Sequence, residues 1–350
     1  MRYRRADWGQ VVAAMGKAII RLKDIADKTG FSTNTVSLAL RESPRIPVQT
    51  RELIRRAADE LNYLPNQIAK SLVSRETKTI GLVLTDITNP TLTHTAQAIE
   101  IALAERGYGT LFATSNNTLS EEIRSIEMVR ARQVDGILIY PSSRRQLDHL
   151  RSLRRANYPI VLLVADPDAD IDAVCMDERV GAYKAARHLI DLGHKNIAML
   201  DGPNSYNTHK REGYQQALQE AGIPVDAEYW AGPEDYSAEK GFWALDALMQ
   251  SGRRPTAIFA ANDSLALGAL RWCFRHKLRV PEDLAIVGMD NIDLAEYAAV
   301  PLSSVTYAVE TVTRMAVDRL MRLISAGEQL PTPRVTQIEP DLVIRESTTG

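Results

Sequence analysis

Polar residues that could bind a hydroxyl-rich molecule, together with one leucine, stand shortly after apolar runs of the chain. Read along the sequence, the candidates are Thr85, Asp86, Asn89, Leu92, Ser142, Asn262, Asp263, Asp290 and Asn291. Carboxylate and amide groups can bond adjacent hydroxyl groups, so this set suits a sugar or a related small metabolite. Asn89 and Asp263 have a simpler alternative, because both residue types also cap helices.

The apolar runs before these residues are typical of buried parallel strands. Seven of them stand between helical stretches: "TIGLVLTD", "GTLFATS", "DGILIYP", "PIVLLVA", "NIAMLDG", "TAIFAAN" and "LAIVGMD". Near-continuous apolar strands between amphipathic helices predict parallel sheets covered on both faces. We expect two doubly wound α/β subdomains, with the ligand in a cleft beyond the carboxyl ends of their strands.

The sequence lacks the motifs of common enzymes and metal sites. It has no G-x-S-x-G, no G-x-x-x-x-G-K-[ST] and no H-E-x-x-H, and its six histidines show no ligand spacing. Cys175 and Cys273 lie inside apolar patterns, which predicts reduced core residues. We therefore expect no catalytic residues, no metal and no cofactor.

The charge is distributed unevenly along a chain of ordinary globular composition. Of 350 residues, 45% are hydrophobic and 25% charged, and no run approaches the ~18 apolar residues of a membrane span. We expect a cytoplasmic chain without membrane contact. Residues 1–75 hold 14 Lys and Arg against 7 Asp and Glu, while the remainder holds 28 against 37. A basic front suits nucleic acid, although a solvated surface would have the same charge.

Residues 21–40, "RLKDIADKTGFSTNTVSLAL", predict two short helices joined by a tight turn. Gly30 can adopt the left-handed conformation that ends a helix, and Ser32 can cap the next one. Phe31, Val36 and Leu40 should face inward. A third helix is expected from about residue 50, and its buried stripe should be Leu53, Ile54, Ala57 and Leu61.

Three ordered blocks, "LKDIADKTGFSTNTVSLAL", "ELNYLPNQIAKSL" and "TIGLVLTDITNP", resemble the lactose/galactose repressor (LacI/GalR) family of bacterial transcription regulators. The resemblance extends over about residues 21–348. It implies an N-terminal all-α helix-turn-helix domain and an α/β periplasmic-binding-protein-like body of two doubly wound parallel-sheet subdomains. It also implies a ligand-responsive regulator, most simply a repressor, that binds a palindromic double-stranded DNA operator as a homodimer, with a tetramer as the alternative.

The resemblance assigns DNA contacts to the second helix and the residues after it. Thr33, Asn34 and Leu38 correspond to base-reading positions, and Ser32, Thr35, Ser37, Arg41 and Arg45 to phosphate contacts; Tyr63, Ala69, Lys70 and Leu72 complete the set. Asparagine can bond an adenine edge, and leucine can meet a thymine methyl group. Relatives often have arginine at the position of Leu38, so the familiar operator of the family need not apply.

Residues 62–79, "NYLPNQIAKSLVSRETKT", resemble the hinge helix of the family. Such a helix forms when two copies pair on DNA, and Leu72 would then wedge between base pairs in the minor groove. Val73 often has a basic counterpart in relatives, which puts one contact in doubt. The alternative is a plain linker.

The resemblance adds three residues to the ligand set. Lys210, three residues before Gly213, stands where relatives commonly have a ligand-binding arginine, and Tyr236 where an aromatic ring stacks on a sugar. Tyr307 replaces a residue that is frequently polar. These departures indicate a ligand other than the best-known one of the family. The alternative for Lys210 is a surface lysine without a role.

These expectations divide the chain into five parts. They are residues 1–20, an extension expected to be disordered; 21–64, the helix-turn-helix domain; 65–78, hinge helix and linker; 79–177 with 307–335, the first lobe; and 178–306 with 336–350, the second lobe. A basic arm is the alternative for residues 1–20. A solute-binding transport protein shares the expected body fold and is the alternative function.

Overall fold

The computed structural model describes residues 20–63, 76–201, 208–226, 230–231, 236–327 and 329–349. The chain divides into a front unit that ends at Thr77 and a body that begins at Lys78. The expectations for residues 1–19, for Ala69, Lys70 and Leu72, and for a hinge helix at 65–75 lie outside the described residues. Within the described part, no helix has the length and apolarity that crossing a membrane requires.

The front unit contains three helices: α1 (Leu22–Thr29), α2 (Thr33–Leu40) and α3 (Val48–Glu60). Gly30 ends α1 with a φ of 76°, and the Ser32 hydroxyl caps α2 by accepting the Thr35 N–H at 3.1 Å. Both features were expected from residue type. The core is small and centres on Ile25, Val36 and Ile54, which are fully buried.

The predicted stripe of the third helix was partly wrong. The buried residues of α3 are Ile54, Ala57 and Ala58, while Leu53 is 50% exposed. Residues three and four apart share a helix face, whereas Leu53 lies about 100° around the helix from Ile54. The helix also begins at Val48, two residues before the expected start.

The first lobe of the body contains a six-stranded sheet in which every neighbouring pair is parallel. Its strands are β1 (Thr79–Leu84), β2 (Gly109–Thr114), β3 (Gly136–Ile139), β4 (Ile160–Leu162), β5 (Ala173–Met176) and β11 (Val335–Ile338), in the order β11-β5-β4-β3-β1-β2. Its helices are α4 (Pro90–Ala104), α5 (Leu119–Ala131), α6 (Asp148–Arg155) and α12 (Val309–Ala326). One core cluster holds residues of α4 and α12, and another those of α5 and α6.

Strand β1 shows why this sheet is covered on both faces. Ile80, Leu82 and Leu84 belong to the cluster with α4 and α12, whereas Val83 belongs to the cluster with α5 and α6. Successive side chains of a strand point to opposite faces, so an apolar run without alternation buries both. The doubly wound prediction is confirmed for this lobe.

The second lobe repeats this arrangement with one antiparallel strand. Its strands are β6 (Ile197–Leu200), β7 (Trp230–Ala231), β8 (Ala257–Ala260), β9 (Ala285–Asp290), β10 (Ser303–Thr306) and β12 (Leu342–Val343), in the order β12-β10-β9-β8-β6-β7. Its helices are α7 (Glu178–Asp191), α8 (Thr208–Glu220), α9 (Ala238–Gln250), α10 (Asp263–His276), α11 (Asp293–Glu296) and α13 (Glu346–Thr349). Four of the five neighbouring pairs are parallel, which confirms the predicted parallel sheet, and only β12 is antiparallel to its neighbour, β10.

The last boundary between the lobes also needs correction. A boundary between residues 335 and 336 would divide β11, and all four residues of β11 pair in parallel with β5 of the first sheet. The final return to the second lobe therefore lies between Ile338 and β12. The hydrogen bonds between β11 and β5 assign β11 to the first lobe. The sequence "VTQI" is partly polar, so it did not indicate a buried strand.

Two glycines let α9 and α10 cross at close range. A Cβ atom on Gly268 would lie 2.0 Å from the Ala238 carbonyl oxygen, and one on Gly241 would lie 2.2 Å from the Leu265 carbonyl oxygen. Backbone atoms cannot rotate away as side chains do. The crossing therefore requires glycine at both positions.

We predict that Gly268→Ala lowers the free energy of unfolding of the body by at least ~2 kcal/mol, because the methyl group would force the two helices apart. Urea denaturation monitored by circular dichroism would measure the change. Gly109→Ala is the matched control, since its Cβ would meet the Lys78 carbonyl oxygen at an ordinary 3.9 Å. Equal effects of the two substitutions would contradict the close crossing.

Candidate functional site

A cavity of about 430 Å³ lies in the body, with walls from both lobes. The carboxyl ends of β1, β8 and β9 all reach it. Nine of the twelve candidate ligand residues line this cavity, whereas Ser142, Asp263 and Asn291 do not. The nine are Thr85, Asp86, Asn89, Leu92, Lys210, Tyr236, Asn262, Asp290 and Tyr307. Their role in binding stays a prediction. The strand-end rule predicted six of them, and the family resemblance added Lys210, Tyr236 and Tyr307.

Ser142 does not line the cavity, so its expected placement was wrong. The Ser142 hydroxyl is hydrogen-bonded to the Ser115 hydroxyl at 2.8 Å, and its N–H donates to the carboxylate of Glu122. These contacts lie inside the first lobe and bury the residue. A polar residue after a strand can therefore form hydrogen bonds with neighbouring residues of its own lobe instead of facing the cleft.

Two asparagines line the cavity and also cap helices. Asn89 Oδ1 accepts the Thr91 N–H at 2.9 Å at the start of α4, and Asn262 Oδ1 accepts the Leu265 N–H at 2.9 Å at the start of α10. Asp263 has a different role. Its carboxylate accepts the Ile292 N–H at 2.9 Å and the Ser304 hydroxyl at 2.6 Å, and it is fully buried.

Lys210 is buried, so the surface alternative for this residue was wrong. It is 7% exposed, and its Nζ atom donates to the Ala261 carbonyl oxygen at 2.8 Å. The same Nζ atom lies 3.6 Å from Glu178 Oε1. The ammonium group therefore stands at the cavity wall with two partners from the second lobe.

A buried ion pair that sequence reasoning missed connects the two lobes beside the cavity. Arg144, between β3 and α6 of the first lobe, donates through Nη2 to the carboxylate of Glu178, the first residue of α7. Its Nη1 donates to the Ala165 carbonyl oxygen at 3.2 Å. Arg144 is 7% exposed and Glu178 is 7% exposed.

The sequence carries no signal for this pair. Arg144 stands in the polar run "SSRRQ", which is typical of an exposed loop, and Glu178 is 34 residues away. Burial alone would oppose ionisation of Glu178. The cations Arg144 and Lys210 outweigh that effect and hold the pKa of Glu178 below its usual value, so the carboxylate stays charged.

A second polar contact joins the lobes nearby. His209 on α8 has its Nε2 atom 2.9 Å from Oδ1 of Asp166, which follows β4 of the first lobe. The other ring nitrogen, Nδ1, lies 3.2 Å from Glu212 Oε2. Three charged or titratable residues of the second lobe, Glu178, His209 and Lys210, thus lie together at the boundary between the lobes.

Asp290 stands at the end of β9 in an unusual backbone conformation. Its φ is 109°, and that of Asn291 is 51°, both outside the regions that most residues adopt. Burial raises the pKa of Asp290 to about 6, although Lys210 opposes this shift. The cavity therefore holds a carboxylate that lacks part of its solvation.

The second helix of the front unit presents most of its predicted DNA contacts to solvent. Ser32, Thr33, Asn34, Arg41 and Arg45 are exposed, and Thr35, Ser37 and Leu38 are partly exposed. Tyr63 is partly buried and packs against the core of this unit. Exposed polar side chains of this kind can contact nucleic acid. Because they are exposed, they need no hydrogen-bond partner inside the protein.

One guanidinium group is held against the second helix. Arg41 donates to the Ser37 hydroxyl at 2.7 Å and to the Ser37 carbonyl oxygen at 3.2 Å. These bonds fix the direction of a side chain at the carboxyl end of α2. Sequence reasoning assigned both residues to phosphate contacts, and the structure brings them together.

Models of known families match both units. Residues 21–66 match the bacterial regulatory proteins of the lacI family, and residues 186–348 match a periplasmic binding protein-like domain. The HTH-type transcriptional repressor PurR of Proteus mirabilis (strain HI4320) is 33% identical over 333 residues, which cover 93% of this chain and 96% of that protein. The ribose operon repressor of Haemophilus influenzae is 32% identical, with 93% and 98% covered.

The fold has a counterpart among solved structures. The lac repressor dimer bound to operator and the anti-inducer ONPF covers 95% of this chain, and this chain covers all of it, with a TM-score of 0.86 and 25% identity. Such similarity over nearly the full length defines a DNA-binding transcriptional regulator, not an enzyme. The chain belongs to the LacI family of bacterial regulatory proteins.

We predict that Asp290→Asn raises the free energy of unfolding at pH 7 by about 1–3 kcal/mol, because it removes a poorly solvated charge. The pKa of Asp290 rises from the ordinary 3.8 to about 6 in the folded protein. Between these two pH values the folded state keeps Asp290 protonated while the unfolded state has released the proton. The free energy of unfolding of the wild-type protein therefore falls as the pH rises through this window. Urea denaturation between pH 4 and pH 8 measures the difference from wild type, which should shrink toward pH 4.

Asp283→Asn is the control with the opposite sign. Arg279 holds the pKa of Asp283 at about 2, so its charge contributes stability that is present at neutral pH and lost in acid. The control should be less stable than wild type at pH 7. A loss of stability in both variants would contradict the raised pKa of Asp290.

Proposed function

We propose that the protein is a repressor whose affinity for an operator depends on a hydroxyl-rich small metabolite bound in the body cavity. The observation that carries this proposal is the meeting of nine predicted ligand residues in one cavity, within a chain whose relatives are repressors. The cytoplasm, where bacterial DNA lies, is the proposed compartment.

The front unit is proposed to read DNA through the exposed face of α2. Asn34 and Thr33 stand in the first turn of that helix, where the base edges of a major groove come within reach. Leu38 would contact a methyl group, and Ser32, Thr35, Ser37, Arg41 and Arg45 would contact phosphates. A few base pairs give little specificity, so we propose a homodimer that binds two half-sites related by a two-fold axis.

The body is proposed to act through the relative arrangement of its two lobes. A metabolite in the cavity would touch Asp86 of the first lobe and Asp290 of the second. A ligand shifts such an equilibrium only by its different affinity for the two arrangements. The lobe-bridging pairs Arg144–Glu178 and Asp166–His209 are the contacts that an altered arrangement would change.

We predict that Asn34→Ala weakens binding to sites selected from a random DNA library by about 1–3 kcal/mol, the scale of one bidentate base contact. Affinity for a scrambled duplex should stay nearly unchanged, because phosphate contacts remain. Fluorescence anisotropy on both duplexes measures the two affinities. Asn196→Ala, an exposed asparagine of the body, is the matched control. An equal loss on both duplexes would show that Asn34 does not read bases.

We predict that Asp290→Ala abolishes the response to the metabolite and leaves ligand-free affinity for DNA within several-fold of wild type. The carboxylate faces the cavity, so its loss removes a ligand contact and not a DNA contact. Operator titration with and without a panel of pentoses, hexoses and disaccharides measures this effect. A variant that responds like wild type would remove Asp290 from the sensor.

A further inference from the structure

The charged residues that line the cavity are mostly acidic. Among the described residues they are the carboxylates of Asp86, Glu178 and Asp290 and one ammonium group, that of Lys210. Opposite charges attract strongly where solvent is scarce, and like charges repel equally strongly. The carboxylates of the cavity therefore repel an anionic ligand, unless Lys210 can pair with that ligand.

Lys210 is already engaged by the protein. Its Nζ atom donates to the Ala261 carbonyl oxygen at 2.8 Å and lies 3.6 Å from Glu178 Oε1. An ammonium group has three donors, so a ligand hydroxyl could still accept one. A ligand carboxylate, in contrast, would compete with Glu178 for the same positive charge and would stand close to it.

Glu178 keeps its negative charge because the guanidinium group of Arg144 pairs with its carboxylate. Arg144 donates to the Glu178 carboxylate from the first lobe and does not line the cavity. Breaking a buried pair leaves an uncompensated charge, which costs several kcal/mol. A ligand anion therefore cannot displace Glu178 cheaply.

We propose that Glu178 sets the charge selectivity of the cavity. Its carboxylate, shared between Arg144 and Lys210, lowers the positive potential at Lys210, so the site accepts an uncharged hydroxyl-rich ligand and rejects the carboxylate or phosphate counterpart of that ligand. This inference rests on the proposed function, in which the cavity binds the effector. Asp86 and Asp290 supply acceptors for ligand hydroxyl groups. An acid would instead face all three carboxylates.

The first test uses the full-length wild-type protein and matched pairs of ligands. Isothermal titration with glucose, galactose and ribose is compared with glucuronate, galacturonate and ribose 5-phosphate, and with the amines glucosamine and galactosamine. Each neutral sugar that binds should bind at least about tenfold more tightly than its acid, a difference of ~1.4 kcal/mol. An acid that binds as tightly as its neutral counterpart would overturn the proposal. So would an amine that binds more weakly than its neutral counterpart, because a cavity lined mostly by carboxylates should not disfavour a cation.

The second test uses Glu178→Gln, which keeps the shape of the side chain and frees Lys210. This variant should gain at least about tenfold in affinity for the acids, with a smaller change for neutral sugars. Glu122→Gln is the matched control: Glu122 is equally buried and paired, its Oε1 2.6 Å from His149 Nε2, but it lies away from the cavity. Glu178→Asp keeps the charge and should keep the wild-type preference.

The outcomes separate this inference from the function on which it rests. If no sugar changes operator affinity but Glu178→Gln gains acid affinity, the selectivity stands and the sensor function loses its support. If neutral sugars regulate DNA binding but Glu178→Gln gains no acid affinity, the role of Glu178 is overturned and the function stands. If Glu178→Gln fails to fold, the ligand panel on the wild-type protein and on Glu178→Asp still tests the proposal. A wild-type protein that prefers acids would refute the role of Glu178. A Glu178→Asp variant that loses the preference for neutral sugars would refute it as well.

Discussion

The buried ion pair between Arg144 and Glu178 is the contact on which the arrangement of the body depends. It joins the two lobes at the cavity wall, and both residues are almost fully buried. Such a pair adds little net stability, since desolvation offsets the attraction between the charges, but separating the partners in a dry interior is costly. The pair therefore favours one arrangement of the lobes more than it strengthens the fold. Any ligand that alters the surroundings of Glu178 alters that preference as well.

The front unit follows a simpler logic. A unit of three short helices has few apolar side chains to bury, and Ile25, Val36 and Ile54, one from each helix, are fully buried. Local features then decide the geometry, namely the left-handed Gly30 and the Ser32 cap. Because few residues of α2 belong to the core, the remaining face of that helix is exposed to solvent. The body, in contrast, uses long-range sheet pairing and retains a cleft.

Sequence reasoning predicted what local patterns encode and missed what only tertiary contacts decide. The seven apolar runs became β1 to β4, β6, β8 and β9, and strand ends identified six of the nine predicted residues that line the cavity. The family resemblance supplied the other three, Lys210, Tyr236 and Tyr307. Among the other strands, β7 and β12 have only two residues each, and β10 with "SSVT" and β11 with "VTQI" are partly polar. Strand β5, "AVCM", is an apolar and buried run that sequence reasoning did not identify as a strand. The prediction for Ser142 was wrong because its polar groups form hydrogen bonds with neighbouring residues inside the first lobe. Glu178 was missed because its partner lies on another lobe, and no spacing rule connects them.

The strained acidic end of β9 explains what a ligand contributes to this body. Asp290 and Asn291 adopt left-handed backbone conformations, and burial keeps the pKa of Asp290 and that of Asp263 above the ordinary range. Each feature lowers the stability of the ligand-free protein, as expected at sites kept for binding. Hydroxyl groups of a ligand can donate to the Asp290 carboxylate and restore the solvation that burial removed. In the proposed function, the free energy recovered there favours the lobe arrangement in which Asp86 and Lys210 also reach the ligand, so the poor solvation of Asp290 contributes to the driving force of the response.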